Sequence, residues 1–330
     1  SDKSFLGCWY AAIVIMTQVN ITGDARDPTE YLVQLRCTGG WTDEEYKALI
    51  GISVISVFLA FNAILGNTLI LVALHKETVL YQPSKLLYRC LATTDLCAGL
   101  ILEPVATVYR LSLIHEDWKL CRYAVTTRFM VGFPLFSVSL FTVTAISVDR
   151  LLALLLGLRY KHVVTLKRTY VFVIIIWVVA TVTANSYFVN PQVIIWHNYI
   201  VTPFCIMTAT FSYTTIFLSL RRHQNQMQVN EPQQPGQQVS LNMMRYRKAV
   251  YSALWVQVAL VLCFLPYSIT TVNLTTEKLS TFDLIVLECV VTLVKLNSTL
   301  NPFLYCWKIS EVRQEVKATI RQALCCPSQV

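Results

Sequence analysis

Long apolar runs alternate along the chain with mostly short polar connections. Seven runs, at roughly 48–74, 85–112, 121–155, 168–188, 193–220, 247–272 and 282–306, are each long enough for a helix that crosses a bilayer. The pattern predicts an all-α integral membrane bundle. Residues 1–46 form an N-terminal segment, 47–307 a seven-transmembrane helix domain, and 308–330 an amphipathic eighth helix with a short tail. One connection, 221–248, is long, polar and rich in Gln and Pro, and reads as a flexible loop between the fifth and sixth helices. After the seventh run, Ile309, Val312, Val316, Ile320 and Leu324 recur at helical spacing. Charged residues fill the opposite face, so this helix is expected to lie flat on the membrane surface.

Composition agrees with the membrane class. The 330 residues are 55% hydrophobic and 14% charged, with a mean hydropathy of +0.52. Soluble chains carry about 25% charged residues. The net charge of +8 is therefore a matter of where the basic residues flank the spans, and no nucleic-acid partner is expected. Lys76, Lys85, Arg159, Lys161, Arg168, Arg221, Arg247 and Lys308 all flank one side. The positive-inside rule makes that side cytoplasmic, with the C-terminus, and leaves the N-terminus extracellular. The acceptor triplet at Asn20 then lies outside, where a glycan can be added. Cys325 and Cys326, at the end of the eighth helix, are palmitoylation candidates. The stretch 5–16 is too short to span and reads as a signal-peptide core or as translated upstream sequence, with Met16 a possible start. No zinc-hydrolase spacing, P-loop, dinucleotide glycine pattern or nucleophile elbow occurs, so no enzyme is expected.

Short motifs stand in order within the spans: "GNTLILV" in the first, "LATTDL" in the second and "AISVDRLLALLLGLRYKHVV" ending the third. Trp177 is in the fourth, "CFLPY" in the sixth and "NPFLY" in the seventh. With these the chain resembles the rhodopsin-like family of G-protein-coupled receptors over roughly 48–325. The resemblance implies a plasma-membrane receptor that passes an extracellular ligand's signal to a heterotrimeric G protein. It implies an activation set of Asp149, Arg150, Leu158, Tyr213, Phe264, Pro266, Pro302 and Tyr305. Asp149 and Arg150 should neutralise each other at rest, and Arg150 should swing toward Tyr213 and Tyr305 on activation. Four positions depart from the family pattern. "DRL" replaces "DRY", Gly157 replaces a common proline, Tyr246 stands at the site of an arginine-clamping glutamate, and Phe264 replaces tryptophan.

Asp95, Ser139, Asn297, Ser298 and Asn301 are polar at mid-span, and a carboxylate at membrane depth needs a partner. These positions match the family's sodium pocket; a water or proton cluster that satisfies Asp95 is the other reading. Cys121 stands near the family's bridge cysteine, one helical turn farther from Arg150. The usual partner in the second outer loop is missing, and Cys37 is the available alternative.

The resemblance places the ligand in the outer half of the bundle, among Glu103, Arg128, Gly132, Phe133, Phe136, His197, Tyr267, Thr271, Glu288, Val291 and Lys295. Gly132 occupies the position of the aspartate that pairs with monoamine ligands, so a monoamine is not expected. Lys295 lies inside the last span, where a lone ammonium costs about 2.5–3.5 kcal/mol on insertion scales. It has three readings: a structural pair with Glu103 or Glu288, a direct contact to an anionic ligand, or the Schiff-base lysine of a retinal-binding opsin. A light-driven ion pump is a further alternative, but a pump would not need the DR and NPxxY motifs or an eighth helix.

Overall fold

The computed structural model describes residues 33, 36–76, 80–190, 192–230, 258–271, 280–308 and 310–325. Helix α1 is Asp43–Lys76, α2 is Gln82–Ile114 and α3 is Trp118–Leu156. Helix α4 is Leu166–Ser186, α5 is Thr202–Asn230 and α6 is Val258–Thr271 in its described part. Helix α7 is Thr281–Lys308 and α8 is Ser310–Cys325. Five of the described helices are long and apolar enough to cross a membrane by length and composition. Large apolar side chains are exposed along them; on α1 they include Val54, Ile55, Val57, Phe58 and Phe61. Apolar groups face outward because lipid, unlike water, does not penalise them.

Local sequence starts and stops these helices. Thr42 and Glu45 at the start of α1 bond each other's backbone N–H, and Ser280 and Asp283 do the same for α7. Each pair satisfies two amide donors that the first helical turn leaves open. Asp117 caps α3, accepting from Leu120 N at 3.0 Å. Gly157 closes α3 at φ 50°, a conformation that L side chains rarely adopt.

Two interruptions bear on function. Within α2, residues Ala98–Leu102 form a π-turn, and the Glu103 N–H reaches back to Ala98 O. Before α5, His197–Val201 form another, with Thr202 N–H bonded to His197 O. A proline follows each, Pro104 and Pro203. Proline has no N–H for the normal helical bond and crowds the preceding turn, and the wider π-turn absorbs the mismatch. One extra residue per turn rotates everything beyond it, Glu103 included.

The main core lies between α1, α2, α3, α5, α6 and α8, around Leu74, Leu87, Leu91, Leu140, Ile146, Ile206 and Phe264. A second core, around Trp41, Leu49, Tyr109, Leu113 and Leu284, closes the end that carries the Cys37–Cys121 disulfide.

Two expectations need correction. Helix α5 continues to Asn230, ten residues into the stretch read as loop, while 231–257 lie outside the described residues. Helix α8 does not keep its whole apolar face for lipid. Val312 and Val316 are buried in the main core, and Lys76 Nζ contacts Thr319 Oγ1 at 3.4 Å. The same periodicity suits membrane or protein, and the neighbouring end of α1 takes part of the face.

Helices α1 and α7 meet closely at Gly66. A Cβ there would lie 2.8 Å from Pro302 Cγ, and the proline ring cannot turn away. Gly66→Ala should therefore destabilise the bundle by about 1–3 kcal/mol through overpacking. The check is the thermal midpoint of purified protein; an unchanged midpoint would mean that the α1–α7 contact yields freely.

Candidate functional site

Three polar clusters interrupt the apolar interior. The first lies toward the disulfide end and is a ladder of charges. Lys295 Nζ is 2.6 Å from Glu103 Oε1, and Glu103 Oε2 is 3.8 Å from Arg110 Nη2. Arg110 Nη1 is 3.2 Å from Glu288 Oε2, and Glu288 Oε1 is 2.5 Å from Arg128 Nη1. Glu103 and Arg110 are seven residues apart on α2, as are Glu288 and Lys295 on α7, so each pair presents one helical face. Arg110 is fully buried and also donates to Ser53 Oγ at 3.0 Å and Thr107 Oγ1 at 3.4 Å. The Arg128 guanidinium lies 5.0 Å from the centre of the Tyr109 ring.

The other residues expected around a ligand divide into separate groups. Phe136 stacks obliquely against Phe264 and Tyr267, with ring centres 5.5 and 5.1 Å apart. Phe133 packs elsewhere, with Ala184, Tyr187 and Ile194 on the α4 side, and its ring centre lies 4.8 Å from that of His197. His197 Nε2 lies 3.4 Å from Ser137 Oγ. Gly132 faces Leu102, whose Cδ1 would be 3.0 Å from a Cβ. The Thr271 hydroxyl donates to its own helix, at Tyr267 O and Ser268 O. Val291 is half-buried on α7.

The second cluster centres on Asp95, which is 1% exposed. Ser298 Oγ donates to Oδ1 and Asn301 Nδ2 to Oδ2, both at 2.7 Å. Ser139 lies within hydrogen-bonding reach. Asn297 is buried nearby on α7, and its Nδ2 has no hydrogen-bond partner among the described residues. Asn67 donates to Ala63 O and Ser298 O, while its Oδ1 is buried and unbonded. No basic side chain pairs with Asp95 among the described residues.

The third cluster lies at the far end of α3. Arg150 Nη2 is 3.1 Å from Asp149 Oδ2, and its guanidinium lies 5.7 Å from the Tyr88 ring centre. Asp149 also accepts from Ser84 Oγ at 2.9 Å and Tyr160 OH at 2.6 Å. Tyr81 holds the connecting turn by donating to Val164 O at 2.6 Å, with its ring 5.4 Å from that of Tyr160. Leu158 is 96% exposed. Tyr213 is buried against Leu151 and Ile216. Pro266 lies in α6 two residues after Phe264, and Pro302 is buried in α7. The side chains of Tyr305 and Cys325 lie outside the described residues, as do Asn20, Tyr246 and Cys326.

Sequence reasoning missed Arg110, Ser84 and Tyr160. Arg110 had a readable signal, since it falls seven residues after Glu103. Its place near the end of the expected 85–112 span, where a charge normally meets water, masks that signal. Ser84 and Tyr160 carry no local signal, because serine and tyrosine at helix ends are ordinary.

The sequence profile described as 7 transmembrane receptor (rhodopsin family) matches residues 66–193 and 187–305. The human Adenosine receptor A2a is 24% identical over 304 residues, covering 81% of this chain and 71% of the relative. The Histamine H2 receptor of Cavia porcellus is 24% identical over 302 residues, covering 84% and 80%. The GQ-coupled rhodopsin of Mizuhopecten yessoensis is 28% identical over 173 residues, 52% of this chain and 32% of the relative.

The ladder gives a prediction about stability. Glu288→Gln leaves Arg110 and Arg128 without their shared carboxylate and should cost about 3–5 kcal/mol. Adding Arg110→Met should recover part of the loss, because it removes one of the stranded cations. Thermal midpoints of both variants test this; equal or larger loss in the double variant would show that the ladder does not act through charge.

Proposed function

Because the chain belongs to the rhodopsin family of seven-transmembrane receptors, we propose that it is a ligand-activated receptor that drives nucleotide exchange on a heterotrimeric G protein. The disulfide end would face outside and the Asp149–Arg150 end the cytoplasm, as the basic flanks direct. The observation that carries this reading is the arrangement around Asp149. Three partners hold its carboxylate: Arg150, Ser84 and Tyr160. When Arg150 leaves, the two hydroxyls still hydrogen-bond the carboxylate, which lowers the cost of parting the ion pair. The bare Leu158 on the same surface supplies an apolar knob for the G protein. The basic face of α8, with Arg313, Lys317 and Arg321, suits anionic headgroups.

The likeness to a histamine receptor does not extend to a monoamine ligand. Gly132 offers no carboxylate, and Leu102 crowds the space where a side chain would stand.

The Asp95 cluster suits sodium as a regulator. One unneutralised carboxylate and the hydroxyls of Ser139 and Ser298 supply oxygen donors for a hard monovalent cation. A bound ion would supply the positive charge that Asp95 otherwise lacks and brace α2, α3 and α7 against rearrangement.

Two outcomes follow. Arg150→Ala should lower G-protein nucleotide exchange by at least about tenfold while surface expression stays near the parent level. Full exchange by that variant would remove Arg150 from the mechanism. Replacing N-methylglucamine chloride by sodium chloride at constant ionic strength should raise the thermal midpoint and lower basal exchange. By linkage, an ion that favours the resting state disfavours the active one, commonly by about 1–3 kcal/mol. Asp95→Asn should abolish both effects; sodium sensitivity that survives in Asp95→Asn would place the ion elsewhere.

A further inference from the structure

The ladder does not balance. Two carboxylates, Glu103 and Glu288, stand against Arg110, Arg128 and Lys295. A fourth cation lies close by. Arg36 immediately precedes Cys37, and the Cys37–Cys121 bridge ties that segment to α3. Tyr109 OH donates to Arg36 O at 3.1 Å, fixing the segment against α2. The Arg128 guanidinium lies 5.0 Å from the centre of the same Tyr109 ring, so Arg36 and Arg128 are both anchored at that phenol. Arg36 Nε is buried without a hydrogen-bond partner, and Arg36 makes no ion pair among the described residues.

The other described carboxylates at this end are committed elsewhere. Glu44 pairs with Lys47 at the surface, Glu45 bonds Thr42 and Thr281, and Glu116 accepts from Tyr46. Asp117 and Asp283 cap helices, and Asp43 is exposed. Among the described residues, nothing offsets the surplus of two positive charges. Positive charge sequestered from water is costly unless it is paired, and pairing it with an incoming anion removes the cost.

We propose that the disulfide-side half of the bundle binds a small organic acid, with its carboxylate between Arg36 and Arg128 and its apolar body against Tyr267 and Phe136. This rests on the receptor reading and names its ligand class. The ladder divides the labour. Arg110 is fully buried and serves to neutralise Glu103 and Glu288. Glu103 holds Lys295, and Glu288 is shared by Arg110 and one nitrogen of Arg128, which leaves the remaining N–H groups of Arg128 and the Arg36 guanidinium for the ligand. The acid binds without covalent chemistry. The Phe136–Phe264–Tyr267 stack connects its body to α6, the element that must move when Arg150 is released.

The test uses purified full-length receptor and a series of phenylalkanoates from phenylacetate to phenylhexanoate. Each is compared with its neutral amide and its cationic amine by thermal unfolding. At least one acid should raise the midpoint in a saturable way, with no response to the matching amide or amine. Arg36→Gln removes a cation that has no carboxylate partner among the described residues. It should raise the unliganded midpoint, because it relieves surplus positive charge, and raise the half-saturating acid concentration by about tenfold, the scale of one charge-assisted hydrogen bond. Arg36→Lys should retain most of the response, and it keeps the test open if the glutamine variant folds poorly. No shift with any acid, equal shifts with acid and amide, or an unaltered response in Arg36→Gln would each overturn the proposal. So would a visible absorption band, formed with retinal and lost in Lys295→Met, because it would assign that half of the bundle to a chromophore. Basal nucleotide exchange and its loss in Arg150→Ala, measured on the same preparation, separate the two readings. Exchange that persists without an acid response sinks the ligand class alone; absent exchange sinks the receptor reading.

Discussion

A charge inside an apolar bundle must be met by another charge or by a dense set of dipoles, and this requirement organises the interior. Lys295, Glu103, Arg110, Glu288 and Arg128 meet it by joining into one run across α2, α3 and α7. None of the three helices can rotate or slide far without parting an ion pair in a low-dielectric setting. The ladder thus fixes the mutual register of the helices that surround the proposed ligand. Its own assembly depends on the π-turn at Ala98–Leu102, which sets the rotation of Glu103 and Arg110 relative to the rest of α2.

The other polar clusters answer the same demand differently. Asp95 draws two hydrogen bonds from α7 and has no cation among the described side chains, a state that an ion or a proton can complete. Asp149 has a cation and two hydroxyls, more partners than it needs at any moment. One carboxylate is short of charge compensation and the other has partners to spare. The first suits a site that recruits a regulator, and the second a site that must release its arginine.

These clusters lie along a connected path. The proposed acid would touch Tyr267 on α6, whose neighbours Phe136 and Phe264 lead down into the main core. Phenylalanine at 264 keeps an aromatic surface able to slide past Phe136, with no indole N–H to find a partner. Asn67 and Gly66 tie α1 to α7 at the depth of Ser298 and Pro302, so α1 and α7 form a fixed wall against which α6 can work.

The sequence by itself determined the helical membrane class and the order of the apolar helices, because length and apolarity are local properties that the bilayer reads directly. It also located the residues that carry charge or amide groups at mid-span, since few residue types are tolerated there. Tertiary structure decided which of them meet. Lys295 had two candidate partners, and it lies against Glu103 while Glu288 goes to the two arginines. Phe133 shares α3 with the pocket-side Phe136 yet packs against Ala184 of α4, and Val312 and Val316 face the bundle instead of lipid. Helical periodicity fixes a side chain's direction only relative to its own axis. The rotation and depth of one helix against another come from contacts distant in sequence, and at α2 and α5 from π-turns that shift the phase of the face. Partners such as Ser84 and Tyr160 for Asp149 were therefore not legible in the sequence, although every residue involved was in plain view.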